Sequence, residues 1–272
     1  MEKFSVGMSV YKNDNPEDLT TAISSVVNQT VPPNEIILIQ DGPVPSVLSK
    51  TIEKLQETFP ILHVIKLEKN VGHAGARQAA MAASSNELVA VMDADDISIP
   101  TRFESQLIAF ADNPEVSVVG GQIKEFIERP NNIVGERIVP TDDSAIKTYL
   151  KNRCPMNLVT VMYRKKDVED VGGFMDWYCE EDYYLWIRLA QSGYKFHNVD
   201  ETLVYVRVGK AMYQRRGGWR YFKSEARLQW YMFRNGIISF PRYSYNTLGR
   251  FAVQVAMPNK LRGYVFRKLF RK

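Results

Sequence analysis

Short continuous runs of apolar residues alternate, in the N-terminal part of the chain, with stretches in which apolar residues recur every three or four positions. The continuous runs are typical of strands buried on both faces of a parallel sheet, and the spaced pattern is typical of amphipathic helices. Predicted strands cover residues 4–11, where apolar residues alternate with others, and residues 35–40, 62–67 and 88–92. Predicted helices cover 16–29, 47–59 and 76–84. This alternation predicts an α/β fold with a mostly parallel, Rossmann-like central sheet flanked by helices.

The rest of the chain predicts a more mixed arrangement. A helix at 101–111 is followed by strands at 116–127 and 133–139, which form a hairpin around Asn131-Asn132. The further predicted elements are a helix at 142–152, a strand at 158–163, a helix at about 180–191, strands at 196–199 and 202–208, and helices at 219–234, 243–256 and 260–270. The fold therefore ends in a C-terminal helical extension.

Three carboxylates, Asp93, Asp95 and Asp96, follow directly after the strand at 88–92. Acids this close together repel each other, and a divalent cation, which prefers oxygen ligands, would relieve that repulsion. The right-handed crossover rule brings the strand ends at Tyr11, Asp41 and the acidic turn to one edge of the sheet. An aromatic ring, a hydrogen-bond acceptor and a metal site on one rim suit a nucleotide diphosphate. A solvated acidic turn is the alternative.

A second acidic cluster, Glu180, Glu181 and Asp182, stands where the helix at about 180–191 begins. Acids in the first turn of a helix stabilise its dipole, which accounts for one or two of the three. A carboxylate at a helix start beside a cavity also suits general base catalysis.

The composition is that of an ordinary globular protein, with 45% hydrophobic and 24% charged residues. No apolar run approaches the length of about 18 to 20 residues that a membrane span needs. The N-terminal stretch lacks the features of a signal peptide. The two cysteines, Cys154 and Cys179, fit neither a zinc site nor a disulfide framework. We therefore expect a cytoplasmic protein with free thiols.

The net charge of +4 hides an asymmetry between the two ends of the chain. Residues 207–272 contain 16 Lys and Arg and one acid, Glu225, which gives +15 and leaves −11 for residues 1–206. Such a positive field suits lipid headgroups, diphosphates or nucleic acid. Residues 260–272 interleave apolar and basic residues, which favours a helix at an anionic membrane surface. A helix that covers the core and presents a solvated cationic face is the alternative.

Several short motifs, taken in their order over residues 4–210, resemble the family-2 inverting glycosyltransferases with a GT-A fold. Each motif alone is a weak match, whereas their order and spacing together are specific. The motifs are Ser5-Val6-Gly7-Met8-Ser9-Val10-Tyr11, Asn28-Gln29-Thr30, Glu35-Ile36-Ile37-Leu38-Ile39-Gln40-Asp41-Gly42, Asn70-Val71-Gly72 with Arg77, Asp93-Ala94-Asp95-Asp96, Gly172-Gly173-Phe174, and Glu181-Asp182 with Leu185-Trp186 and Arg188. The resemblance is to members that build bacterial surface polysaccharides such as O-antigen, capsule or exopolysaccharide.

The resemblance implies roles for the residues on the sheet edge. Asp93 and Asp95 look like the DxD pair of the family. Asp95 would bind a Mn²⁺ or Mg²⁺ ion that bridges the sugar-nucleotide diphosphate. Asp93 would hold ribose or sugar hydroxyls and is also a candidate metal ligand. Asp41 would accept a hydrogen bond from uracil, Tyr11 would pack on that ring, and Arg77 would support the nucleotide by its charge.

The resemblance also implies a general base, for which Asp182 is the first choice and Glu181 the second. Like-charge repulsion from its acidic neighbours would raise the pKa of Asp182. One departure concerns the loop at 208–218, where many members place a metal-binding histidine and this chain has none. We expect Arg215 or Arg216 to close over the diphosphate instead.

The implied domains are a GT-A catalytic domain at 1–210, with a nucleotide-sugar half (1–115) and an acceptor half (116–210), followed by a basic lid loop and helices at 211–272. The implied reaction moves a hexose from a UDP-sugar to a polyprenyl-diphosphate-linked saccharide. The protein would lie peripherally at the inner face of the bacterial cytoplasmic membrane, and nucleic acid is not an expected partner. A non-catalytic binding protein of the same fold is one alternative. A sugar nucleotidyltransferase is another, although it would need a glycine-rich loop directly after the first strand.

Overall fold

The computed structural model describes residues 2–209 and 217–257. The loop arginines Arg215 and Arg216 and the helix predicted at 260–270 lie outside the described residues, so their roles stay predictions. No helix in the described part of the chain is long and apolar enough to cross a membrane.

Strands and helices alternate along the chain as the apolar pattern predicts. The strands are β1 (Phe4–Val10), β2 (Glu35–Gln40), β3 (Leu62–Lys66), β4 (Leu88–Asp93), β5 (Ile97–Ser98), β6 (Val116–Phe126), β7 (Ile133–Arg137), β8 (Met162–Arg164) and β9 (Lys195–Arg207). The helices are α1 (Pro16–Val27), α2 (Ser46–Thr58), α3 (Gly72–Ala83), α4 (Arg102–Asp112), α5 (Asp143–Leu150), α6 (Lys165–Asp170), α7 (Glu181–Gln191), α8 (Trp219–Arg234) and α9 (Phe240–Phe251). A short π-helix, Ala252–Ala256, continues α9.

One nine-stranded sheet forms the centre of the molecule, with the strand order β3-β2-β1-β4-β8-β6-β9-β5 and β7 paired to β6. The first four strands in this order are parallel, as the alternation of strands and helices predicts. The second half is mixed, because β8 runs antiparallel to both β4 and β6 while β9 runs parallel to β6. The α/β fold class with C-terminal helices is therefore confirmed.

Helices cover both faces of the sheet, and the buried residues form two large clusters and a small one between α3 and β2. One core packs α1, α2 and α4 against β1, β2 and β4, through residues such as Leu19, Leu48 and Phe103. The other packs α3, α5 and α7 against the sheet, and α8 contributes Leu228 and Met232 to it. The C-terminal helices are thus held to the same core that positions α7.

The strand predicted at 158–163 is wrong in its first half. A 3₁₀ turn at Leu158–Thr160 leads instead into the short β8. The Thr160 hydroxyl donates to the Asn157 carbonyl oxygen (2.7 Å) and accepts from the Gly121 N–H (3.0 Å). These local bonds satisfy the backbone where a strand ladder would otherwise do so.

The remaining differences are smaller. The two strands predicted at 196–199 and 202–208 are one strand, β9, whose pairing with β6 shifts register beside Gly121 and Gln122. The short elements β5 and α6 are not predicted by the apolar pattern. The helix α3 begins at Gly72, four residues before the prediction, and α9 begins at Phe240, three residues before it.

Candidate active site

The three predicted strand ends meet at one edge of the sheet. β1 lies between β2 and β4, with Val10 opposite Gln40 and Ser9 opposite Asp93. Tyr11, Asp41 and the acidic turn therefore follow three adjacent strands. The roles given to these residues toward a nucleotide stay predictions, but the structure does bring them together.

Asp41 is buried and its carboxylate caps the start of α3. Oδ1 accepts from the Val71 N–H (2.7 Å), and Oδ2 accepts from the Gly72 N–H (3.1 Å) and from the Asn70 side-chain amide (2.8 Å). These bonds satisfy backbone donors at the helix N-terminus. The motif Asn70-Val71-Gly72 is thus tied to the end of β2 by one carboxylate.

The acidic turn after β4 concentrates negative charge that the protein does not fully neutralise. Burial, with the charges of Asp93 and Asp14, raises the pKa of Asp95 to about 6. Burial likewise raises the pKa of Asp14, whose carboxylate accepts a hydrogen bond from the Tyr11 N–H (2.9 Å). Crowded carboxylate oxygens are the donor set that Mn²⁺ and Mg²⁺ prefer, so these residues fit such a cation. Within residues 2–209 and 217–257, no three His, Cys, Asp or Glu side chains form a complete metal cluster.

Arg207, the last residue of β9, holds the acidic turn in place. Its backbone N–H donates to Asp96 Oδ1 (2.7 Å) and its Nε donates to the Asp95 carbonyl oxygen (3.1 Å). Its guanidinium also pairs with Asp18 in α1 (2.8 Å). Burial, together with Asp95 and Asp93, raises the pKa of Asp96 well above its usual range. Arg207 is not among the residues predicted for the site, although it stands directly before the loop at 208–218.

A second missed arginine, Arg102, lies fully buried beneath the same turn. Its guanidinium donates to the Val91 carbonyl oxygen (2.7 Å) and to Gln106 Oε1 (3.1 Å). Burial lowers the pKa of Arg102 to about 9, against the charges of Asp93 and Asp96, so it stays cationic at neutral pH. Its charge therefore offsets part of the negative potential of the turn from below.

Arg77 joins the two acidic clusters. From α3 it bonds Glu181 Oε1 through Nη1 (2.7 Å) and approaches Asp93 Oδ1 through Nη2 (3.5 Å). Burial alone would lower the pKa of Arg77, but Asp93, Glu181 and Asp182 outweigh burial and raise it. Glu181 is therefore committed to an ion pair, whereas Asp182 beside it is not.

Asp182 sits in the first turn of α7 with two modest hydrogen-bond donors. The Tyr183 N–H donates to Oδ1 (2.7 Å), and the Cys154 thiol has two acceptors for its one proton, Oδ2 (3.7 Å) and the Met156 carbonyl oxygen (3.5 Å). Burial, with the charge of Glu181, raises the pKa of Asp182, while Arg77 and Arg137 act against that rise. Burial also raises the pKa of Cys154, so its thiol keeps the proton that it donates. A carboxylate with a raised pKa and few partners suits proton transfer.

A cleft of about 350 Å³ opens beside Asp182. The three carboxylates of the second acidic cluster form one wall, and Arg137 and Cys154 form another. The third wall comes from the C-terminal helices, which contribute Tyr221, Glu225 and Arg250. Glu225 Oε1 lies 3.2 Å from Arg250 Nε, so this wall carries a paired charge. The cleft is large enough for a sugar and is lined by groups that hydrogen-bond hydroxyls.

Comparison with known proteins finds one matching family model and several similar relatives. Residues 5–172 match the model described as Glycosyl transferase family 2. The Escherichia coli protein named UDP-Gal:alpha-D-GlcNAc-diphosphoundecaprenol beta-1,3-galactosyltransferase is 34% identical over 270 residues, which cover 99% of this chain and 97% of the relative. The amylovoran biosynthesis glycosyltransferase AmsE of Erwinia amylovora is 34% identical over 83% of this chain and 84% of its own length.

Among solved structures, the mannosyltransferase PcManGT from Pyrobaculum calidifontis, in complex with GDP-Man and Mn²⁺, resembles the chain with a TM-score of 0.66. The match covers 96% of this chain and 72% of that chain at 15% identity. The likeness confirms the GT-A type of fold.

Proposed function

Since the chain belongs to glycosyl transferase family 2, we propose that it transfers a hexose from a UDP-sugar to a saccharide on a polyprenyl diphosphate, with inversion, in surface polysaccharide biosynthesis. The observation that carries this proposal is the contact of Arg77 with both acidic clusters, because it links Asp93 of the donor-side turn to Glu181, which lines the cleft beside the candidate base. The E. coli relative, which matches over nearly its whole length, supports the choice of donor and acceptor class.

On the donor side, Asp95 with Asp93 would hold Mn²⁺ or Mg²⁺, which when bound supplies a Lewis acid for the leaving diphosphate. Tyr11 would pack on the uracil ring, and Asp41 would accept a hydrogen bond from it. A carboxylate offers about four acceptor positions. The donors on Asn70, Val71 and Gly72 take three of them at Asp41, which leaves room for one base N–H.

On the acceptor side, Asp182 would take the proton of the attacking hydroxyl. The hydroxyl oxygen bonds to the anomeric carbon from the face opposite the diphosphate, the bond from carbon to diphosphate breaks, and UDP leaves. The raised pKa of Asp182 suits it for that proton, because burial weakens the solvation of its charged form. Glu181, held by Arg77, positions the start of α7 and shapes the charge around the base.

The enzyme would act peripherally on the cytoplasmic side of the membrane, where a lipid-linked acceptor is presented. The part given to Arg215 or Arg216, closing over the diphosphate, belongs to the same proposal and rests on the sequence alone. The match to the family argues against the nucleotidyltransferase alternative.

A donor screen tests the proposal. UDP release would be measured with several UDP-hexoses and a synthetic GlcNAc-diphosphate-lipid acceptor, with Mn²⁺ and with a chelator. We expect acceptor-dependent UDP release from one preferred donor, lost on chelation and in Asp95→Asn, and kept in the control Asp200→Asn, whose carboxylate is exposed on β9. A protein that binds UDP but releases none from any donor would support the non-catalytic alternative, and turnover that ignores the chelator would remove the metal role.

A further inference from the structure

The exposed residues of α8 are all aromatic or basic. They recur every three or four positions and therefore form one stripe along the helix. The stripe consists of Trp219, Arg220, Lys223, Arg227, Trp230 and Arg234. Trp219 and Trp230 are 57% and 46% exposed, which is unusual for tryptophan unless a partner covers it.

The neighbouring helix α9 exposes large apolar side chains. Phe240, Tyr245, Leu248 and Phe251 are 60%, 75%, 68% and 39% exposed, and Arg242 lies among them. Tyr245 and Leu248 are three positions apart and so share one side of the helix. Residues of this kind on a solvated helix are costly without a partner.

Ring contacts place the two stripes side by side. Trp219 packs on Phe251 with ring centroids 5.9 Å apart, and at the other end of the pair Phe233 packs on Phe240 at 5.7 Å. The helices are therefore antiparallel, and exposed rings of α9 adjoin rings of α8 at both ends of the pair. The exposed residues of the two helices together are here called the hairpin face. The single acid of residues 217–257, Glu225, pairs with Arg250 at the cleft, so the charges on the hairpin face are all positive.

We infer that the hairpin face docks on a lipid bilayer that contains anionic headgroups. Tryptophan and tyrosine favour the boundary between headgroups and acyl chains, and an apolar side chain such as Leu248 can enter that boundary. The basic stripe of α8 complements the negative surface. Nucleic acid fits less well, because the strongly exposed Leu248 offers no ring on which a base could stack.

The same two helices line the cleft through Tyr221, Glu225 and Arg250. Docking by the hairpin face would therefore place the cleft next to the bilayer from which a lipid-linked acceptor enters. Only this consequence rests on the proposed function, since the lipid affinity of the face follows from its exposed residues.

Vesicle co-sedimentation of the full chain tests the inference. The vesicles are phosphatidylcholine alone or an equal mixture of phosphatidylcholine and phosphatidylglycerol. We expect binding to the mixed vesicles and little to the neutral ones, weakened by salt. Tyr245→Ser/Leu248→Ser should lower vesicle affinity at least about tenfold, and Lys223→Gln about fivefold.

Matched controls are Val47→Ser/Ile108→Ser, which removes two exposed apolar side chains from other helices, and Lys54→Gln on α2. Both should bind vesicles as the unaltered chain does. Binding that survives in both hairpin-face variants would assign it to residues 258–272 and overturn the inference. Three other results would overturn the inference. They are equal binding to neutral vesicles, a preference for nucleic acid over vesicles, and a change of oligomeric state in Tyr245→Ser/Leu248→Ser without loss of vesicle binding.

UDP release with a short-chain, water-soluble acceptor and no vesicles separates this inference from the proposed function. Tyr245→Ser/Leu248→Ser should keep that activity, because both side chains point to solvent. If the unaltered chain transfers hexose but does not bind vesicles, only the docking surface is contradicted. If it binds vesicles but transfers no hexose, only the proposed function is contradicted.

Discussion

Replacing Arg77 by methionine isolates the contact that joins the two acidic clusters. Arg77 and Glu181 are each 13% exposed at the side chain, and their closest atoms are 2.7 Å apart. Removing one partner of a buried pair costs about 3 to 5 kcal/mol, because the other charge stays behind without compensation. Since both side chains retain some contact with water, we expect the lower end, about 3 kcal/mol of unfolding free energy at neutral pH.

The loss should depend on pH in a defined direction. Burial and Glu181 raise the pKa of Asp182 in the folded protein, and Arg77 limits that rise. When folding raises the pKa of a carboxyl group, the folded protein loses stability as the pH rises from the unfolded-state pKa of that group through its folded-state pKa. Without Arg77 the folded pKa of Asp182 rises further, so Arg77→Met should lose more stability at neutral pH than in mild acid.

Urea unfolding followed by circular dichroism measures both effects. The control is Arg129→Met, which removes an exposed arginine from the turn after β6 and should stay within about 0.5 kcal/mol of the unaltered chain. Adding Glu181→Gln to Arg77→Met should restore about 2 kcal/mol, because the stranded charge is removed. Unchanged stability in Arg77→Met, or a double variant weaker than the single one, would refute the reasoning.

Two further outcomes follow from contacts at the same site. Cys154→Ala removes the thiol donor to Asp182, so the pKa of that carboxyl should rise and the acid limb of the pH–rate profile should move to higher pH. Cys154→Ser should restore the original profile. An acid limb that does not move in Cys154→Ala would show that the thiol does not influence the base. Arg207→Gln loosens the turn that carries Asp95, so the affinity for UDP in the presence of Mn²⁺ should fall about tenfold, as measured by titration calorimetry. The affinity for UDP without metal should change less, and equal losses in both titrations would contradict this.

The sequence predicts the parts of the fold that depend on local pattern. The strands β2 and β4 are buried along nearly their whole length, so each appears as a continuous apolar run. The parallel order of β1 to β4 follows from the helices between them. The rim that carries Tyr11, Asp41 and Asp93 follows from that order. The helix α1 begins as predicted, with Asn15 Oδ1 accepting from the Glu17 N–H (2.7 Å).

What the sequence does not predict depends on contacts between distant residues. The pair of Arg77 and Glu181 spans 104 positions, and no local pattern separates an arginine that binds a nucleotide from one that binds a carboxylate. The contact of Arg207 with the acidic turn spans 112 positions. The turn at Thr160 depends on a hydrogen bond to Gly121, which lies in β6, 39 positions earlier in the chain.

The sequence predicts the positive charge of the C-terminal part but not where that charge lies in the fold. Sixteen basic residues beyond position 206 indicate a positive end, and the exposed faces of α8 and α9 decide where part of that charge lies. The single acid of that region, Glu225, looks incidental in sequence. In the structure it pairs with Arg250 and forms part of the cleft wall beside Glu180.

The central claim is that Asp182 takes the proton of the acceptor hydroxyl. Its most direct test is the single-turnover rate of hexose transfer by Asp182→Asn at saturating donor and acceptor, with Asp200→Asn as the control and UDP affinity measured on the same samples. If Asp182 is the base, the transfer rate of Asp182→Asn should be lower by about 10²-fold or more, with UDP affinity and the control unchanged. A transfer rate in Asp182→Asn equal to that of the unaltered chain would contradict the claim.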